Sequence, residues 1–560
     1  GRQLHSELLR RVRNLSEEAI AEQLDEAISI RILEPLAVHA QSNEHGDEVG
    51  QAADLMFTHD KIREVLAHSL NPLRHRIAHR QIAKTVEEYY ASRLHPYYRK
   101  LAYHYHLAEE VEQAIDYLRK AAAQSIQVYA FTDAATLMEQ AVELLLGEQY
   151  KSLRADMLRK LSAEVYIYTG RPDKAIEAGI AAAALYQELE NPLKEAETRL
   201  DVSFSFHWIS QETKASAGIK RALTCLEQAP HETRLFAKAH VQWGLSATIS
   251  GDILEALEHL SLADVLHEQL GSNDPFIGVV SLWARSWCAF TSGTLQQMLD
   301  LAQESAVLCR SAHMFAWEPM MTYTAAWALM LMGRLQEASS VAYETLEKAQ
   351  QHNAVGAQGW AYLVLSFVAI QQGQWDKVDS CGDKAAEIAM KMHESSLLAR
   401  VFWGRSICAG WRGEWKQAVA YALESTHISR RDDEFTLIYP YLLTQVAKAS
   451  LFAGKLEEAQ LTLNQAMQFA QKHSYRQLPA LCHRLQGRIL QVQGVYEQAQ
   501  DHFEQSLTEL AALHDEVEYA RTQEAYALLF SVRNLASDTE QASVLQQQAY
   551  ATFQRLGVNG

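Results

Sequence analysis

The chain has 560 residues, too many for one compact globule; 48% of them are hydrophobic and 21% are charged, which excludes a wholly disordered chain. The formal net charge of −18 excludes a broad nucleic-acid-binding surface, because such a surface needs a basic face. With only 10 prolines and abundant Ala, Leu, Glu and Gln, the composition predicts helix nearly throughout.

The first hundred residues contain helical and strand-like segments but no repeat. Ser16, followed by acidic residues, is typical of a helix start. The predicted order is a helix over 16–33, a polar turn over 39–51, a short apolar strand over 53–57, a helix starting near Lys61, a break at Asn71 and Pro72, and a helix over 73–90. This order fits a small winged-helix domain.

The window 57–105 is basic, with nine Lys or Arg against four Asp or Glu, although the chain as a whole is acidic. A basic patch of this kind suits phosphate groups. A solvated face beside acidic neighbours is the other interpretation, and the sequence leaves both open.

Glycines recur at intervals of 40 to 42 residues along most of the remaining chain: Gly251, Gly293, Gly333, Gly373, Gly413, Gly454 and Gly494. Gly170 lies 81 residues before the first of these, and Ser210 fills the missing position. Continuing the interval predicts a turn at Tyr129 and a last one near Ser537. A fixed period of this length indicates a repeat architecture.

A small residue lies seven positions before each turn: Ala122, Ala163, Ser203, Gly244, Ser286, Ala326, Ser366, Ser406, Ala447 and Gly487. Two helices joined by a tight turn approach closely only where their facing side chains are small. Each repeat is therefore predicted to be a helical hairpin. One hairpin cannot bury its apolar face alone, so we expect the hairpins to stack into an α-solenoid.

Segments such as "GRLQEASSVAYETLEKA" and "GKLEEAQLTLNQAMQFA" resemble tetratricopeptide (TPR) repeats, and "QWGL" at 242–245 matches the first-helix pattern of those repeats. The resemblance spans about residues 100–560, although the period is longer than the usual 34 residues. It implies an all-α fold, a right-handed superhelix of TPR-like hairpins. Such arrays bind many different partners, so the fold alone does not define a function.

A second resemblance covers "LMFTHDKIREVLAHSLNPLRHRIAHRQIAKTVEEYY" and "LAYHYHLAEEVEQAIDYLRKAA". These stretches look like the winged-helix end of the bacterial signal-transduction ATPases with numerous domains (STAND) and its linker into a TPR array. The domains implied are a winged helix over 1–98, linker helices and a first TPR-like hairpin over 99–150, and a superhelical sensor over 151–560.

In the STAND family a His-Asp pair holds the nucleotide-bound resting state. The resemblance implies that His59 faces the ADP phosphates and that Asp60 is its helix-capping partner. The residues taken alone suggest instead that His59 packs against the wing and that Asp60 or Thr58 simply caps the next helix.

No GxxxxGK[ST] loop occurs in the chain, so no cofactor is expected in it. ATP or ADP with Mg would bind an NTPase module joined in cis, in a longer parent protein of which this chain is the C-terminal portion.

A stripe of aromatic and basic residues follows the first helix of each hairpin, at positions 13, 10, 6 and 3 before the turn. We call it the aromatic stripe: Trp283, Trp287, Tyr323, Trp327, Trp360, Phe367, Arg400, Trp403, Arg484 and Arg488. The corresponding stripe in TPR arrays lines the concave groove, which predicts a groove for a peptide, an aromatic ligand or a sugar. The alternative is that this face packs against the neighbouring hairpin as core.

Catalytic and metal-site patterns are missing from the sequence. There is no HExxH and no GxSxG, and the six cysteines lack CxxC spacing, so they are predicted to be buried core thiols. His75 with His79, and His104 with His106, are spaced to chelate a metal but have no third ligand nearby, so we interpret them as surface histidines. We expect neither an enzyme nor a metal site.

The leading functional hypothesis is the sensor arm of a STAND switch. A protein, peptide or small-molecule inducer would bias a closed ADP form toward an open, oligomerising ATP form that controls an attached effector, such as a transcription regulator, cyclase, kinase or defence enzyme. The alternatives are a constitutive TPR scaffold for partner proteins and a regulatory subunit docked on a separate enzyme. With no apolar run of 18 residues and no signal peptide, we expect a cytoplasmic protein that binds neither membrane nor, through the solenoid, nucleic acid.

Overall fold

The structure is a computed structural model that describes residues 3–36, 54–207, 209, 211–431, 434–435, 437–535 and 538–559. The chain divides into two compact units, Gly1–Lys151 and Ser152–Gly560, which are described separately below. The predicted all-α, TPR-like architecture is confirmed: helices pack as successive pairs along nearly the whole of the described chain. None of these helices is both long enough and apolar enough to cross a lipid bilayer.

The first unit begins with a small antiparallel sheet surrounded by helices. Its strands are β1 (Gln3–Leu4), β2 (Leu33–Pro35) and β3 (Leu55–Phe57), and β3 lies between the other two. Its helices are α1 (Ser6–Arg13), α2 (Glu17–Ser29), α3 (Asp60–Ser69), α4 (Pro72–Tyr89), α5 (Tyr98–Leu107), α6 (Val111–Gln127) and α7 (Phe131–Leu144).

The helix expected over 16–33 is shorter than predicted. Ser16 caps it as expected, but α2 ends at Ser29, and Arg31 adopts a left-handed conformation with φ of 59°. The residues that follow enter β2, where Leu33 pairs with Phe57 and is buried, as is Leu55 on β3. Pairing with β3 therefore outweighs continuation of the helix. The polar turn predicted over 39–51 lies outside the described residues.

The break between α3 and α4 is confirmed. The Asn71 side chain accepts a hydrogen bond of 2.9 Å from the Arg74 backbone N–H, and Pro72 is the first residue of α4. The far end of α4 is anchored by Glu87, which accepts hydrogen bonds from the hydroxyls of Tyr105 on α5 and Tyr117 on α6. The two tyrosine rings stack with centroids 5.7 Å apart. These contacts join α4, α5 and α6 into one packed group.

The second unit is the solenoid. Its helices are α8 (Lys151–Lys160), α9 (Pro172–Glu188), α10 (Pro192–His207), α11 (Glu212–Leu226), α12 (Thr233–Ser250), α13 (Ile253–Gln269), α14 (Pro275–Thr291), α15 (Leu295–Ser311), α16 (Glu318–Leu331), α17 (Leu335–Gln351), α18 (Val355–Gln371), α19 (Trp375–Lys391), α20 (Ser395–Trp411), α21 (Trp415–Ser429), α22 (Tyr439–Phe452), α23 (Leu456–Lys472), α24 (Gln477–Val492), α25 (Tyr496–Ala512), α26 (Glu516–Arg533) and α27 (Asp538–Leu556). A two-stranded ribbon, β4 (Arg430–Arg431) with β5 (Glu434–Phe435), connects α21 to α22.

The predicted turns separate the two helices of successive hairpins. Each predicted glycine has a positive φ, between 68° and 83°, and Tyr129, which was predicted by extrapolation, has φ of 58°. Ser210 and Ser537 lie outside the described residues. Gly373 shows why glycine is needed: beyond its φ of 68°, a Cβ there would lie 2.1 Å from the Asn559 amide nitrogen.

The seam inside each hairpin is also as predicted. A Cβ on Gly244 would lie 2.6 Å from Cγ of Leu260 on the second helix of the same hairpin, and one on Gly487 would lie 3.0 Å from the Phe503 ring. Ser203, Ser286 and Ser406 occupy the same repeat position and are fully buried. Small residues thus allow the two helices to pack closely.

Hairpins far apart in sequence also meet within this unit. The Leu437 N–H donates to the Ile249 carbonyl at 2.7 Å, Arg476 donates to Thr291 at 3.0 Å, and Asn559 donates to Gln371 at 2.6 Å. Each acceptor lies two residues before a hairpin turn, and each donor follows it by more than 180 residues. The array is therefore wound tightly enough for one superhelical turn to contact the next.

Candidate ligand cavity inside the solenoid

Within the winding lies a partly open cavity of about 80 Å³. It is lined by the first helices of six successive hairpins, α10, α12, α14, α16, α18 and α20, and by Leu437, which precedes α22. The lining side chains are His207, Leu245, Thr248, Ile249, Trp283, Trp287, Met320, Tyr323, Trp360, Glu394, Ser396, Arg400 and Leu437. Half of the aromatic stripe, namely Trp283, Trp287, Tyr323, Trp360 and Arg400, therefore converges on one space.

Aromatic rings form one wall of the cavity. Tyr323 and Trp360 stack with centroids 5.1 Å apart and planes 18° apart, and Trp287 lies 6.4 Å from Tyr323. Trp283 is held by a hydrogen bond of 3.1 Å from its indole N–H to the Thr324 hydroxyl. Burial raises the pKa of the Tyr323 hydroxyl, so that it stays protonated and uncharged. The wall is flat, apolar and neutral.

Arg400 lies against this wall. Its guanidinium carbon is 5.0 Å from the centroid of the Trp360 ring, a cation–π geometry, and the residue is 5% exposed. Its Nη1 donates to the Ser396 carbonyl at 3.2 Å and also to the Ser396 hydroxyl. Burial lowers the pKa of Arg400 to about 10, which leaves the guanidinium charged at neutral pH.

The cavity also contains polar groups that the aromatic stripe did not predict. His207 Nδ1 lies 2.6 Å from Glu212 Oε2, and that carboxylate accepts a second hydrogen bond, of 3.1 Å, from the Ser246 hydroxyl. His207 Nε2 is buried without a hydrogen-bond partner in the described part of the chain. His207 lies three positions before Ser210, which is a stripe position, but it was not singled out because the stripe was defined by its Trp, Tyr, Phe and Arg residues; Ser246 lies five positions before Gly251, outside the stripe periodicity.

The remaining residues of the aromatic stripe are placed in two other ways. Trp327, Phe367 and Trp403 pack in series, with neighbouring ring centroids 5.2 Å apart, and they belong to the hydrophobic core. Arg484 binds Glu518 at 2.6 Å, and Arg488 lies over the Phe452 ring at 5.6 Å. The stripe therefore contributes both to a cavity and to core packing.

His59 and Asp60 lie at the start of α3 and are both exposed. The adjacent Thr58 hydroxyl donates to the Arg31 carbonyl at 2.6 Å, which ties the end of β3 to the residues before β2. Arg63 Nε lies 4.0 Å from Asp60 Oδ1. The His-Asp pair is thus presented at a helix start, on a backbone that the small sheet holds in place.

The histidine pairs interact in a combination that the sequence did not predict. His79 Nδ1 lies 2.9 Å from His104 Nδ1, and the His75 and His79 rings have centroids 4.4 Å apart, whereas His106 is exposed. Burial, followed by the charge of His79, lowers the pKa of His104 to about 4. No group of three His, Cys, Asp or Glu suited to a metal ion occurs within the described ranges.

The basic window is largely paired with acidic neighbours in the first unit. Arg80 binds Glu110 at 2.5 Å, Arg99 binds Asp133 at 2.7 Å, and Arg76 pairs with Glu109. These pairs support the interpretation of a solvated face beside acidic neighbours.

Comparison with known proteins gives the fold but no family. No protein-family model matches the sequence, and no curated protein matches it. Two solved structures are similar in fold. The first is a Rap protein complexed with competence and sporulation factor (TM-score 0.50, 12% identity, 65% of this chain and 99% of that chain). The second is the APC/C hetero-tetramer Cut9–Hcn1 (TM-score 0.52, 13% identity, 89% of this chain and 92% of that chain).

A STAND protein with a tetratricopeptide repeat sensor from Pyrococcus horikoshii matches at a TM-score of 0.36 and 12% identity, over 83% of this chain and 60% of that chain. That score is too low to support a common fold. What the comparisons establish is that this chain is a TPR-like helical repeat protein.

Proposed function

We propose that this chain is the ligand-sensing arm of a nucleotide-controlled switch of the STAND class. The solenoid binds an inducer in its interior, and the N-terminal unit, as a winged-helix domain, contacts an ATP- or ADP-binding module joined in cis. The inducer shifts the module from a closed ADP form to an open ATP form, which oligomerises and activates the attached effector. It does so only if it binds the open form more tightly.

The observation that carries this proposal is the interior cavity with Arg400 in its wall. Six hairpins build the cavity jointly, and Leu437 lines it while donating the hydrogen bond to Ile249 that joins two superhelical turns. A ligand that fills this space contacts both turns at once. Its binding free energy is therefore coupled to how tightly the solenoid is wound, and a change in winding is a signal that a neighbouring domain can detect.

The N-terminal unit supports the nucleotide-controlled part of the proposal. It contains helices and a small three-stranded sheet, and His59 is exposed at the start of α3, where a histidine could reach a phosphate of a nucleotide bound elsewhere. In the parent protein, His59→Ala is expected to speed ADP loss. The matched control is His68→Ala, an exposed histidine near the end of the same helix.

The sensing function is tested with the chain itself and fractionated extract of its host. A fraction that contains the inducer should raise the melting temperature of the unmodified chain and of Trp411→Ala, an exposed tryptophan outside the cavity. It should not raise that of Trp287→Ala, which alters the cavity wall. If neither small molecules nor proteins from the extract stabilise the chain, the sensing function is wrong.

A constitutive scaffold is the second candidate, and the exposed edge of the last hairpins favours it. Trp411, Phe452 and Val492 each lie two residues before a turn, the position at which earlier hairpins contact a later superhelical turn, and all three are exposed. In a pull-down, a scaffold would lose its partner in Trp411→Ala/Phe452→Ala. A sensor with a protein inducer would lose it in Trp287→Ala/Trp327→Ala.

A further inference from the structure

Arg400 carries a buried positive charge that the surrounding protein does not neutralise by direct contact. No ion pair joins its guanidinium to a carboxylate in the described ranges, although the charge of Glu394 acts on it from a distance, and its Nε is buried without a hydrogen-bond partner there. The nearby Glu394 caps α20, with its carboxylate accepting hydrogen bonds from the Ser396 and Leu397 backbone N–H groups. A buried charge without a partner is costly, so its presence beside a cavity points to a partner that comes from outside the chain.

We infer that the cavity binds a small organic carboxylate, with the carboxylate at Arg400 and an aromatic or otherwise flat apolar body against the wall formed by Trp287, Tyr323 and Trp360. This inference rests on the proposed sensing function and names the chemical class of the ligand. An arginine guanidinium presents a fork of N–H groups that matches a carboxylate, and the free Nε is one arm of that fork.

The charges around the cavity favour a monoanion over a phosphate dianion. Arg400 is the one cationic side chain among the residues that line the cavity, and the Glu394 carboxylate lines it as well. A dianion would therefore leave one negative charge unpaired in a space of low polarity, close to an existing carboxylate. A single carboxylate pairs with Arg400 and brings one negative charge fewer than a dianion into the space beside Glu394.

The volume and the wall of the cavity limit the size and shape of the rest of the ligand. About 80 Å³ holds the carboxylate and part of a compact ring, the rest of which would extend through the open side of the cavity, and it is too little for a long peptide. The stacked Tyr323 and Trp360 rings offer a flat surface. The unpartnered Nε2 of His207 favours a ligand body that carries one polar group able to hydrogen-bond with an imidazole nitrogen.

The test is a tryptophan-fluorescence titration of the full chain with benzoate and phenylacetate and with their neutral amides, benzamide and phenylacetamide. Each amide keeps the body of its acid and removes only the charge. Trp283, Trp287 and Trp360 report occupancy because they line the cavity. We expect each acid to bind about tenfold or more tightly than its amide, because a charge-assisted hydrogen bond is much stronger than a neutral one.

Two variants locate the effect. Arg400→Met removes the charge and keeps most of the volume, and it should abolish the preference for acid over amide. Arg405→Met, on the same helix, removes an arginine that pairs with Asp383 outside the cavity and should keep the preference. If Arg400→Met does not fold, Arg400→Lys, which keeps the charge but loses the fork, should retain a reduced preference.

The outcomes separate this inference from the sensing function. Equal binding of acids and amides would overturn the carboxylate assignment and leave the cavity as a ligand site. Failure of every acid to bind the unmodified chain would also overturn it, whereas the sensing function fails only when no fraction of the host extract stabilises the chain. A preference for acid that survives in Arg400→Met would show that the carboxylate binds elsewhere.

Discussion

Two regions of the solenoid interior are built from the first helices of their hairpins. They differ in whether a buried arginine is paired with a carboxylate. Around α14 to α20 the interior side chains are aromatic, and the Arg400 guanidinium has no carboxylate partner in the described ranges. Around α24 and α26, Arg484 and Arg521 both bind Glu518, at 2.6 Å and 2.5 Å. Burial opposes ionisation of Glu518, but the two arginines outweigh it and lower its pKa. A paired arginine is structural, whereas an unpaired one beside a cavity is available to a ligand.

The largest expected effect is on packing in the aromatic region. Trp327→Ala should lower the free energy of unfolding by about 3–5 kcal/mol, because it removes a buried indole from between hairpins. Trp411→Ala removes the same side chain from an exposed position and should change stability by less than about 0.5 kcal/mol. Urea denaturation followed by circular dichroism measures both. Equal losses would mean that Trp327 is not core.

The next effect tests the paired region. Glu518→Gln leaves Arg484 and Arg521 without their shared carboxylate, and it should cost about 3 kcal/mol of unfolding free energy. Glu337→Gln is the matched control, because Glu337 binds Arg334 at the surface. The control should leave the denaturation midpoint unchanged. If Glu518→Gln also left the midpoint unchanged, the contrast between the two regions would disappear.

A smaller effect is expected when Arg400 or Arg484 is replaced, and the two replacements should change the stability of the chain in opposite directions. Arg400→Met removes a buried charge that has no carboxylate partner, so it should leave the ligand-free chain as stable as before or more stable. Arg484→Met should destabilise it, because Glu518 then loses one of its two cationic partners. Thermal unfolding of both variants in parallel tests this. Destabilisation of similar size in both would contradict the account.

The smallest effect should be common to the two regions. His240 with His259, and His483 with His502, occupy the same two repeat positions, with Nδ1 atoms 2.9 Å and 2.8 Å apart. Burial, followed by the charge of His259, lowers the pKa of His240 to about 4, and burial also lowers the pKa of His483. The unfolded chain binds these protons first, so stability is full above about pH 6.5 and falls as the pH drops from there toward 4.

Melting temperatures of His240→Asn and His483→Asn across this pH range check the histidine prediction. Each variant should lose less stability on acidification than the unmodified chain does. An unmodified chain whose stability does not change between pH 6.5 and pH 4 would show that the pairs carry no such cost.

Local signals predicted most of the fold. The turn glycines and the small seam residues make contacts within a single hairpin, so a repeat in the sequence is enough to locate them. In the structure, the predicted glycines adopt a positive φ and the small residues lie where the two helices pack closely. The sequence did not predict where α2 ends, because the residues after it pair with β3, which lies more than twenty residues further along the chain. The sequence did not predict the pairing of His79 with His104 for a similar reason. These histidines lie on different helices, and residue spacing only relates positions within one helix.

The site was only partly predictable. The aromatic stripe identified Trp283, Trp287, Tyr323, Trp360 and Arg400, because one helix face repeats them. It could not separate them from Trp327 and Phe367, which lie on the same face and belong to the same hydrophobic core but do not line the cavity. That difference depends on contacts such as Leu437 with Ile249, between hairpins of different superhelical turns, and no repeat pattern encodes which hairpins meet.

The central claim is that a ligand in the interior cavity is coupled to the contact between superhelical turns. Hydrogen–deuterium exchange of the full chain, with and without saturating phenylacetate, tests it most directly. The account predicts slower exchange at Leu437, whose N–H bonds to Ile249 beside the cavity, and no change at Arg476, whose N–H bonds to Thr291 in the equivalent contact away from the cavity lining. Unchanged exchange at Leu437, with the ligand bound, would contradict it.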